Sequence, residues 1–200
     1  LVHWPGSYFN NTEKSARLIE FMSTLKKSGK ATTIGLSNFQ SPDLTLLGEK
    51  LKTFSMNEVP YSLLDRAYEG DSLNLCKNAN IPYMAFSPAA QGLLAKPMSR
   101  KDLEMPTRKH HFLYQDPAYS HAEKVWETVR NVAEELGRKP VEVALAWVLT
   151  RDNIFTAIVG SRKPEQVQEF AKATELKLSP SQLQRLTTAS DQFPMVKKGH

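Results

Sequence analysis

Polar residues that could do chemistry follow five short apolar runs in the sequence. Any one set could simply end a strand, but in parallel β/α folds the carboxyl ends of strands carry the functional groups because the loops converge there. Five polar ends together therefore predict a functional edge. The sets are His3, then Ser37 and Asn38, then Asn57 and Glu58, then Ser87 and Pro88, and last Gly160, Ser161, Arg162 and Lys163.

The last of these sets has the composition of an anion site. Ser161, Arg162 and Lys163 stand just before a predicted helix that begins near Pro164. A hydroxyl, a guanidinium, an ammonium and the free N–H groups of a helix start are the donors that bind phosphate in proteins. The sequence therefore predicts a phosphate-binding site at this point.

Several familiar chemistries lack their motifs. The sequence contains no Walker A, G-x-G-x-x-G, H-E-x-x-H or G-x-S-x-G pattern, which argues against dinucleotide binding in the Rossmann manner. The five histidines show no metal-ligand spacing with cysteine or carboxylate residues. No metal site is therefore predicted.

Composition is typical of one globular domain over residues 1–200. The chain has 40% apolar and 24% charged residues, and its net charge of +5 is scattered, which does not favour a nucleic-acid partner. The single cysteine, Cys76, cannot form an internal disulfide. No apolar run approaches the ~18 to 20 residues of a membrane span, and "LVHWPG" is too short and uncharged for a signal peptide. We therefore expect a cytoplasmic protein without a nucleic-acid or membrane partner.

Alternating strands and helices must position these residues. Apolar, β-branched runs predict strands over residues 1–4, 32–39, 54–64, 81–88 and 154–161. The alternation predicts right-handed β-α-β units and a parallel sheet. The spacing fits either an open doubly wound sheet or the second half of a (β/α) barrel.

The helices between these strands have recognisable ends. Apolar periodicity predicts a helix over residues 12–27, and further helices begin near Ser41, Val141, Lys163 and Ser179. The stretch from Val141 is apolar nearly all round, so that helix is predicted to be buried. Another helix is predicted to start at a capping box and to end at a glycine, and the residues concerned are Ser120, Glu123 and Gly137. Ser41 is predicted to cap its own helix.

Six motifs cover essentially the whole chain. They are "LVHWPG", "IGLSNF", "YSLLDR", "AFSPAAQGLL", "LGRKPVEVALAWVL" and "IVGSRKPEQVQE". Together, and in this order, they resemble the aldo-keto reductases, and "YSLLDR" with the long segment after "QGLL" is most similar to the branch of aryl-alcohol reductases and potassium-channel β subunits. The resemblance implies an α/β fold that is the C-terminal part of a (β/α)8 TIM barrel, with about five parallel strands, surrounding helices and the N-terminal strands 1–3 absent.

The resemblance also implies hydride transfer with NADP(H). The substrate would be a small aldehyde, ketone or alcohol, and His3 matches the family histidine that orients and polarises the carbonyl. Trp4 would line the substrate pocket. Residues 96–119 would wall this pocket or fold over the cofactor. Within them Arg108 is expected to be exposed and solvated, with contact to a phosphate as the alternative.

The cofactor residues implied by the resemblance fall into groups along the dinucleotide. Ser37, Asn38 and Glu58 would lie at the nicotinamide carboxamide, and Phe86 would stack on the ring. Glu58 stands where the family usually has glutamine. The remaining groups are Ser87, Pro88, Gly92 and Leu94 over the pyrophosphate, Gly160, Ser161, Arg162 and Lys163 at the 2′-phosphate, and Gln166 and Glu169 at the adenine.

The aspartate, tyrosine and lysine that complete the family's catalytic group lie upstream of its histidine, so no residue here is assigned their roles. We therefore expect this chain alone to be inactive. Two alternatives stay open at this point. One is a non-catalytic nucleotide-binding or regulatory module derived from the same fold, and the other is a hydrolase in which His3 pairs with a carboxylate such as Asp65.

Overall fold

The computed structural model describes residues 1–9 and 11–193, and these residues form two compact units. The first unit comprises Leu1–Pro60, Tyr68–Phe86 and Asp152–Thr156. The second comprises Tyr61–Ala67, Ser87–Arg151 and the chain from Ala157 onward. The single domain over residues 1–200 stays a prediction, and residues 10 and 194–200 of that range lie outside the described residues.

The first unit is built on a parallel sheet. The strands are β1 (Leu36–Ser37), β2 (Asn57–Pro60), β3 (Tyr83–Phe86) and β4 (Ile154–Ile158). They are ordered β1-β2-β3-β4, and the first three residues of β4 belong to this unit. Both β1–β2 and β2–β3 pair in parallel, which confirms the prediction of parallel pairing. The described strands are shorter than predicted, and the predicted strand over residues 1–4 is a single parallel bridge from Val2 to Leu36.

The register gives the sheet two different faces. Leu36, Asn57 and Tyr83 pair across the strands and are buried. The next residues along, Ser37, Glu58 and Met84, also pair and project to the opposite face because side chains alternate along a strand. In β2 and β3 this second face is only half-buried. The second face is therefore partly accessible in these two strands.

Within the described residues, three helices belong to the first unit. They are α1 (Thr12–Lys27), α2 (Ser41–Leu47) and α3 (Asp71–Asn78), with 3-10 turns at Gly6–Tyr8 and Gly48–Thr53. The predicted bounds of α1 are confirmed, and its buried residues are Ser15, Ile19 and Met22. The predicted cap at Ser41 is wrong, because Ser41 lies inside α2. The Asp43 carboxylate accepts the Gln40 N–H at 3.2 Å instead.

The second unit is helical. Its helices are α4 (Arg100–Leu103), α5 (Pro106–Lys109), α6 (Ala118–Leu136), α7 (Pro140–Leu149), α8 (Pro164–Lys172) and α9 (Pro180–Asp191), with 3-10 turns at Ala90–Gly92 and Phe112–Tyr114. The apolar α7 is buried over nearly its whole length, as predicted, and α6 packs on both α7 and α9. Trp147 of α7 is fully buried, and its indole N–H donates to the Thr187 hydroxyl at 3.1 Å.

Local chemistry sets the ends of these helices. Gly137 ends α6 in a left-handed conformation, as predicted, with φ 60°. The predicted capping box at Ser120 and Glu123 is wrong, because α6 begins two residues earlier at Ala118. There the Asp116 carboxylate accepts from both the main-chain N–H and the hydroxyl of Ser120, at 3.2 and 2.5 Å.

Candidate functional site

In the first unit, members of three predicted sets lie next to one another on neighbouring strands. We call His3, Ser37, Asn38 and Glu58 the strand-end cluster. The Asn38 amide donates to the His3 carbonyl and to the Ser37 hydroxyl oxygen, both at 3.0 Å. The Asn38 main-chain N–H donates to the Glu58 carbonyl at 2.9 Å. Asn38 has φ 64°, a left-handed conformation that asparagine tolerates better than most residues.

The side-chain oxygen of Asn38 is the unusual atom of this cluster. Asn38 is buried, with 4% of its surface exposed, and its Oδ1 has no hydrogen-bond partner among the described residues. A buried acceptor without a donor is costly, at about 1 to 3 kcal/mol. The amide nitrogen is already used by two acceptors. Asn38 therefore presents one free acceptor to a ligand N–H.

Glu58 lies inside strand β2, so the expectation that Asn57 and Glu58 follow a strand end is wrong. The parallel register nevertheless pairs Glu58 with Ser37, and its side chain is half-buried. Asn57 faces the buried side, where its amide donates to the Phe39 carbonyl at 2.8 Å. Asn57 therefore supports the strand, whereas Glu58 belongs to the strand-end cluster.

The aromatic residues predicted for this region are less enclosed. His3 is exposed, and Trp4 is 60% exposed with its ring centre 6.0 Å from that of His3. Phe86 pairs with Pro60, two residues beyond the pairing of Met84, so it projects to the same half-buried face as Glu58. The register thus brings Ser37, Glu58 and Phe86 to one face.

In the second unit, most of the predicted cofactor residues line one cavity of about 750 Å³, which we call the groove. Leu94 and Lys163 are not among its lining residues. Leu94 is fully buried, and Lys163 precedes α8 as its N-cap. The predicted residues that line the groove are Ser87, Pro88, Gly92, Gly160, Ser161, Arg162, Gln166 and Glu169.

Residues that the sequence did not assign to the cofactor site hold one side of the groove. Gln91 has φ 55°, and its carbonyl accepts from the Tyr114 hydroxyl at 2.8 Å and from the Arg108 guanidinium at 3.3 Å. Arg108 also pairs with Asp102 at 3.1 Å. Its side chain is only 16% exposed, so the expectation of a solvated arginine is wrong. Lys96, Asp102, Met105 and Arg108 also line the groove.

The carboxylates of Asp102 and Glu169, which line the groove, are each paired with cationic side chains. Hydrogen bonds from the side chain and main chain of Ser99, together with Lys96, hold the pKa of the Asp102 carboxyl well below its usual range. Glu169 pairs with Lys139 at 2.8 Å. Arg162 has no ion-pair partner within the described part of the chain. The groove therefore keeps an uncompensated positive charge suited to a phosphate.

The start of α8 supplies fewer free donors than predicted. The Gln166 side-chain oxygen accepts the main-chain N–H groups of Arg162 and Lys163, at 2.7 and 3.2 Å. Gln166 therefore fixes the loop before α8. Because those N–H groups are occupied, the side chains of Ser161 and Arg162 become the main candidates for contact with an anion.

Other chemistries find little support in the described ranges. These ranges hold no cluster of three His, Cys, Asp or Glu side chains suited to a metal ion. Asp65 accepts the Ala67 N–H at 3.3 Å within a tight turn, which is a structural use of that carboxylate. None of the helices within residues 1–9 and 11–193 is long and apolar enough to cross a membrane.

Comparison with known proteins identifies consistent similarities. Residues 1–191 match the sequence profile described as "Aldo/keto reductase family". An uncharacterized oxidoreductase of Bacillus subtilis (strain 168), YrpG, is 32% identical over 180 residues, which are 88% of this chain and 53% of that protein. The NADH-specific methylglyoxal reductase of Escherichia coli (strain K12) is 29% identical over 179 residues, covering 82% of this chain and 50% of that protein.

A solved structure extends the likeness to the fold. The glycerol dehydrogenase of Gluconobacter oxydans aligns with a TM-score of 0.79 and 24% identity, over 98% of this chain and 59% of that chain. This supports a TIM-barrel-like α/β fold. The chain spans about half the length of the curated relatives it matches.

Proposed function

Because the chain belongs to the aldo/keto reductase family, we propose that it carries the cofactor-binding and carbonyl-orienting part of a nicotinamide-dependent oxidoreductase. Relatives of the family are oxidoreductases. The observation that carries the proposal is the buried, unpartnered Oδ1 of Asn38. Its geometry suits the amino group of a nicotinamide carboxamide, which needs an acceptor in a water-poor place.

The strand-end cluster fits the nicotinamide end of the cofactor. Ser37 and Asn38 would hold the carboxamide, and Phe86 would pack against the ring from the same sheet face. A bound nicotinamide would supply the hydride acceptor or donor. His3 would donate a hydrogen bond to the substrate oxygen, and Trp4 would form part of the wall beside it.

The groove fits the phosphate and adenosine end. Ser161 and Arg162 would bind the 2′-phosphate, and Ser87, Pro88 and Gly92 would contact the pyrophosphate. The uncompensated charge of Arg162 supports NADP(H) over NAD(H). Because the Escherichia coli relative is named as NADH-specific, the relative affinity of this chain for NADPH and NADH has to be measured.

Several finer assignments belong to the same proposal. The strands would correspond to those from the fourth onward in the family barrel, in the aryl-alcohol reductase and potassium-channel β-subunit branch. The substrate would be a small aldehyde, ketone or alcohol. Because no tyrosine, lysine or aspartate here is assigned the remaining catalytic roles, this chain alone would bind cofactor without turnover, in the cytoplasm. A nucleotide-binding regulatory role would share the same cofactor site.

Asn38→Gly tests the observation that carries the proposal. Glycine keeps the left-handed backbone and removes the amide. We expect about tenfold weaker binding of NADPH, and unchanged binding of 2′-phospho-ADP-ribose, which lacks nicotinamide. Tryptophan fluorescence titration measures both affinities, and far-UV circular dichroism checks that the variant is folded.

The unsubstituted chain serves as the reference for each part of the proposal. If it binds neither NADPH nor NADH, the cofactor role is wrong. If both bind equally, the nicotinamide assignment stands and the preference for NADP(H) is wrong. An equal loss of affinity for both probes in Asn38→Gly contradicts the role given to the Asn38 side chain. In that case Asn38→Asp, which keeps an acceptor at that position, is expected to bind the probes as weakly as Asn38→Gly.

A further inference from the structure

Glu58 is the charged member of the strand-end cluster. Its carboxylate is half-buried, and no hydrogen bond or ion pair of that carboxylate occurs within residues 1–9 and 11–193. The residues paired with it on either side, Ser37 and Met84, are neutral. A carboxylate in such a place is screened less by water than one on the surface.

The neighbouring groups increase the negative potential at this face. The free Oδ1 of Asn38 is a second acceptor, and the Asn38 main-chain N–H that could offset it is already given to the Glu58 carbonyl. The strand-end cluster thus contains two acceptors without a partner among the described residues, the Asn38 Oδ1 and the Glu58 carboxylate. Such a cluster favours a ligand that carries both an N–H donor and a positive charge.

We propose that Glu58 makes this site bind the oxidised nicotinamide more tightly than the reduced one. This inference rests on the proposed function. The oxidised ring carries a positive charge and the reduced ring is neutral, whereas the carboxamide is the same in both. The Asn38 oxygen therefore serves both forms alike, and the Glu58 carboxylate distinguishes them.

The consequence is a bias in the direction of the reaction. Alcohol oxidation transfers a hydride, with both electrons of the C–H bond, to the oxidised cofactor, and the hydroxyl proton leaves to solvent as the carbonyl forms. A site that stabilises the oxidised cofactor gives up that stabilisation during this step, so in a complete enzyme Glu58 would shift the bound equilibrium towards the oxidised cofactor and the alcohol. Glu58 is in this sense a specificity-determining residue for the redox state of the cofactor.

Glu58→Gln provides the test, because glutamine has the same shape and no charge. Isothermal titration of NADP⁺ and NADPH gives the ratio of their dissociation constants for each protein. We expect the preference for NADP⁺ to fall about tenfold in Glu58→Gln, through weaker binding of the cation. Glu58→Asp retains the charge and is expected to retain most of the preference.

A matched control replaces a carboxylate outside the cluster. Glu13 of α1 is exposed and pairs with Arg17, so Glu13→Gln should leave the ratio unchanged. If wild type binds both forms and Glu58→Gln leaves the ratio unchanged, the role of Glu58 is overturned while the proposed function stands. If wild type binds neither form, the proposed function itself fails.

Discussion

The strand-end cluster and the groove are held in place by different forces. In the cluster, main-chain pairing and the Asn38 amide set every position, through hydrogen bonds of 2.9 to 3.0 Å. In the groove, side chains form the walls through ion pairs, such as Lys139 with Glu169 and Arg108 with Asp102. The first arrangement is set by strand register and the second by charge.

This difference matters for what each region can do. A ring that exchanges hydride needs a fixed face, and parallel strands provide fixed positions at little entropic cost. A phosphate is recognised at longer range and tolerates mobile, partly exposed side chains. We therefore expect the first unit to respond mainly to changes in packing and the groove to respond mainly to changes in charge.

The largest effect is expected at alkaline pH in the first unit. Burial raises the pKa of the Cys76 thiol from its ordinary 9.0 to about 11, although hydrogen bonds with Asn57 and Tyr83 oppose this. An unfolded thiol loses its proton near pH 9, while the native one keeps it until about pH 11. The free energy of unfolding should therefore fall as the pH rises through this window, by about 2 kcal/mol at pH 11.

Urea denaturation between pH 8 and 11 measures this loss. Lysine and tyrosine residues also titrate in the window, so the informative quantity is the difference between wild type and Cys76→Ala. Alanine lowers stability at every pH by leaving a cavity, but it has no proton to lose. If the difference between the two proteins stays constant up to pH 11, the thiol is not protected by burial.

Gly35→Ala is expected to have the next largest effect. A Cβ atom at Gly35 would lie 2.5 Å from Leu1 Cδ2 and 2.8 Å from Met56 Cγ, so the Leu1 and Met56 side chains must move. Overpacking of this kind costs more than alanine recovers by restricting the unfolded chain, for a net loss of about 1 to 2 kcal/mol. Urea denaturation measures the loss.

Gly160→Ala is the matched control from the groove. A Cβ atom at Gly160 meets nothing within 4 Å, and the stability of this variant should equal that of wild type or slightly exceed it. If Gly35→Ala and Gly160→Ala lost the same amount of stability, the distinction between a cluster set by strand register and an open groove would be contradicted.

The same distinction explains what could be predicted from the sequence. The bounds of α1 and the end of α6 at Gly137 were predictable because caps and apolar periodicity act over a few neighbouring residues. The buried α7 was predictable from its composition. Parallel pairing followed from the alternation of elements.

Features that depend on distant residues were missed. The position of Glu58 inside β2 depends on pairing with β1 and β3, which no local pattern contains. The burial of Arg108 depends on Gln91 and Tyr114, whose contacts arise from loops. The sequence offered one hint, since Lys96, Asp102 and Arg108 bring both charge signs into one short segment.

The smallest effect on stability is expected from Asp102→Asn. The native pKa of Asp102 is lowered chiefly by hydrogen bonds from Ser99, so the ionised carboxylate stabilises the folded protein above its ordinary pKa of 3.8, and this contribution fades as the pH falls below that value. At pH 7 the asparagine variant should lack this contribution, as wild type does at low pH. Its ion pairs with Lys96 and Arg108 are lost, so hydrogen exchange over residues 96–109 should accelerate, while the urea midpoint stays nearly unchanged.

Glu13→Gln again serves as the control, since the pair of Glu13 with Arg17 is largely exposed and its loss should leave exchange unaltered outside α1. Uniformly faster exchange in Asp102→Asn would mean that this carboxylate supports the whole second unit. Acceleration confined to residues 96–109 would mean that charge holds one wall of the groove as a locally opening element, which is the property a site needs if a long phosphate-bearing ligand is to enter and leave.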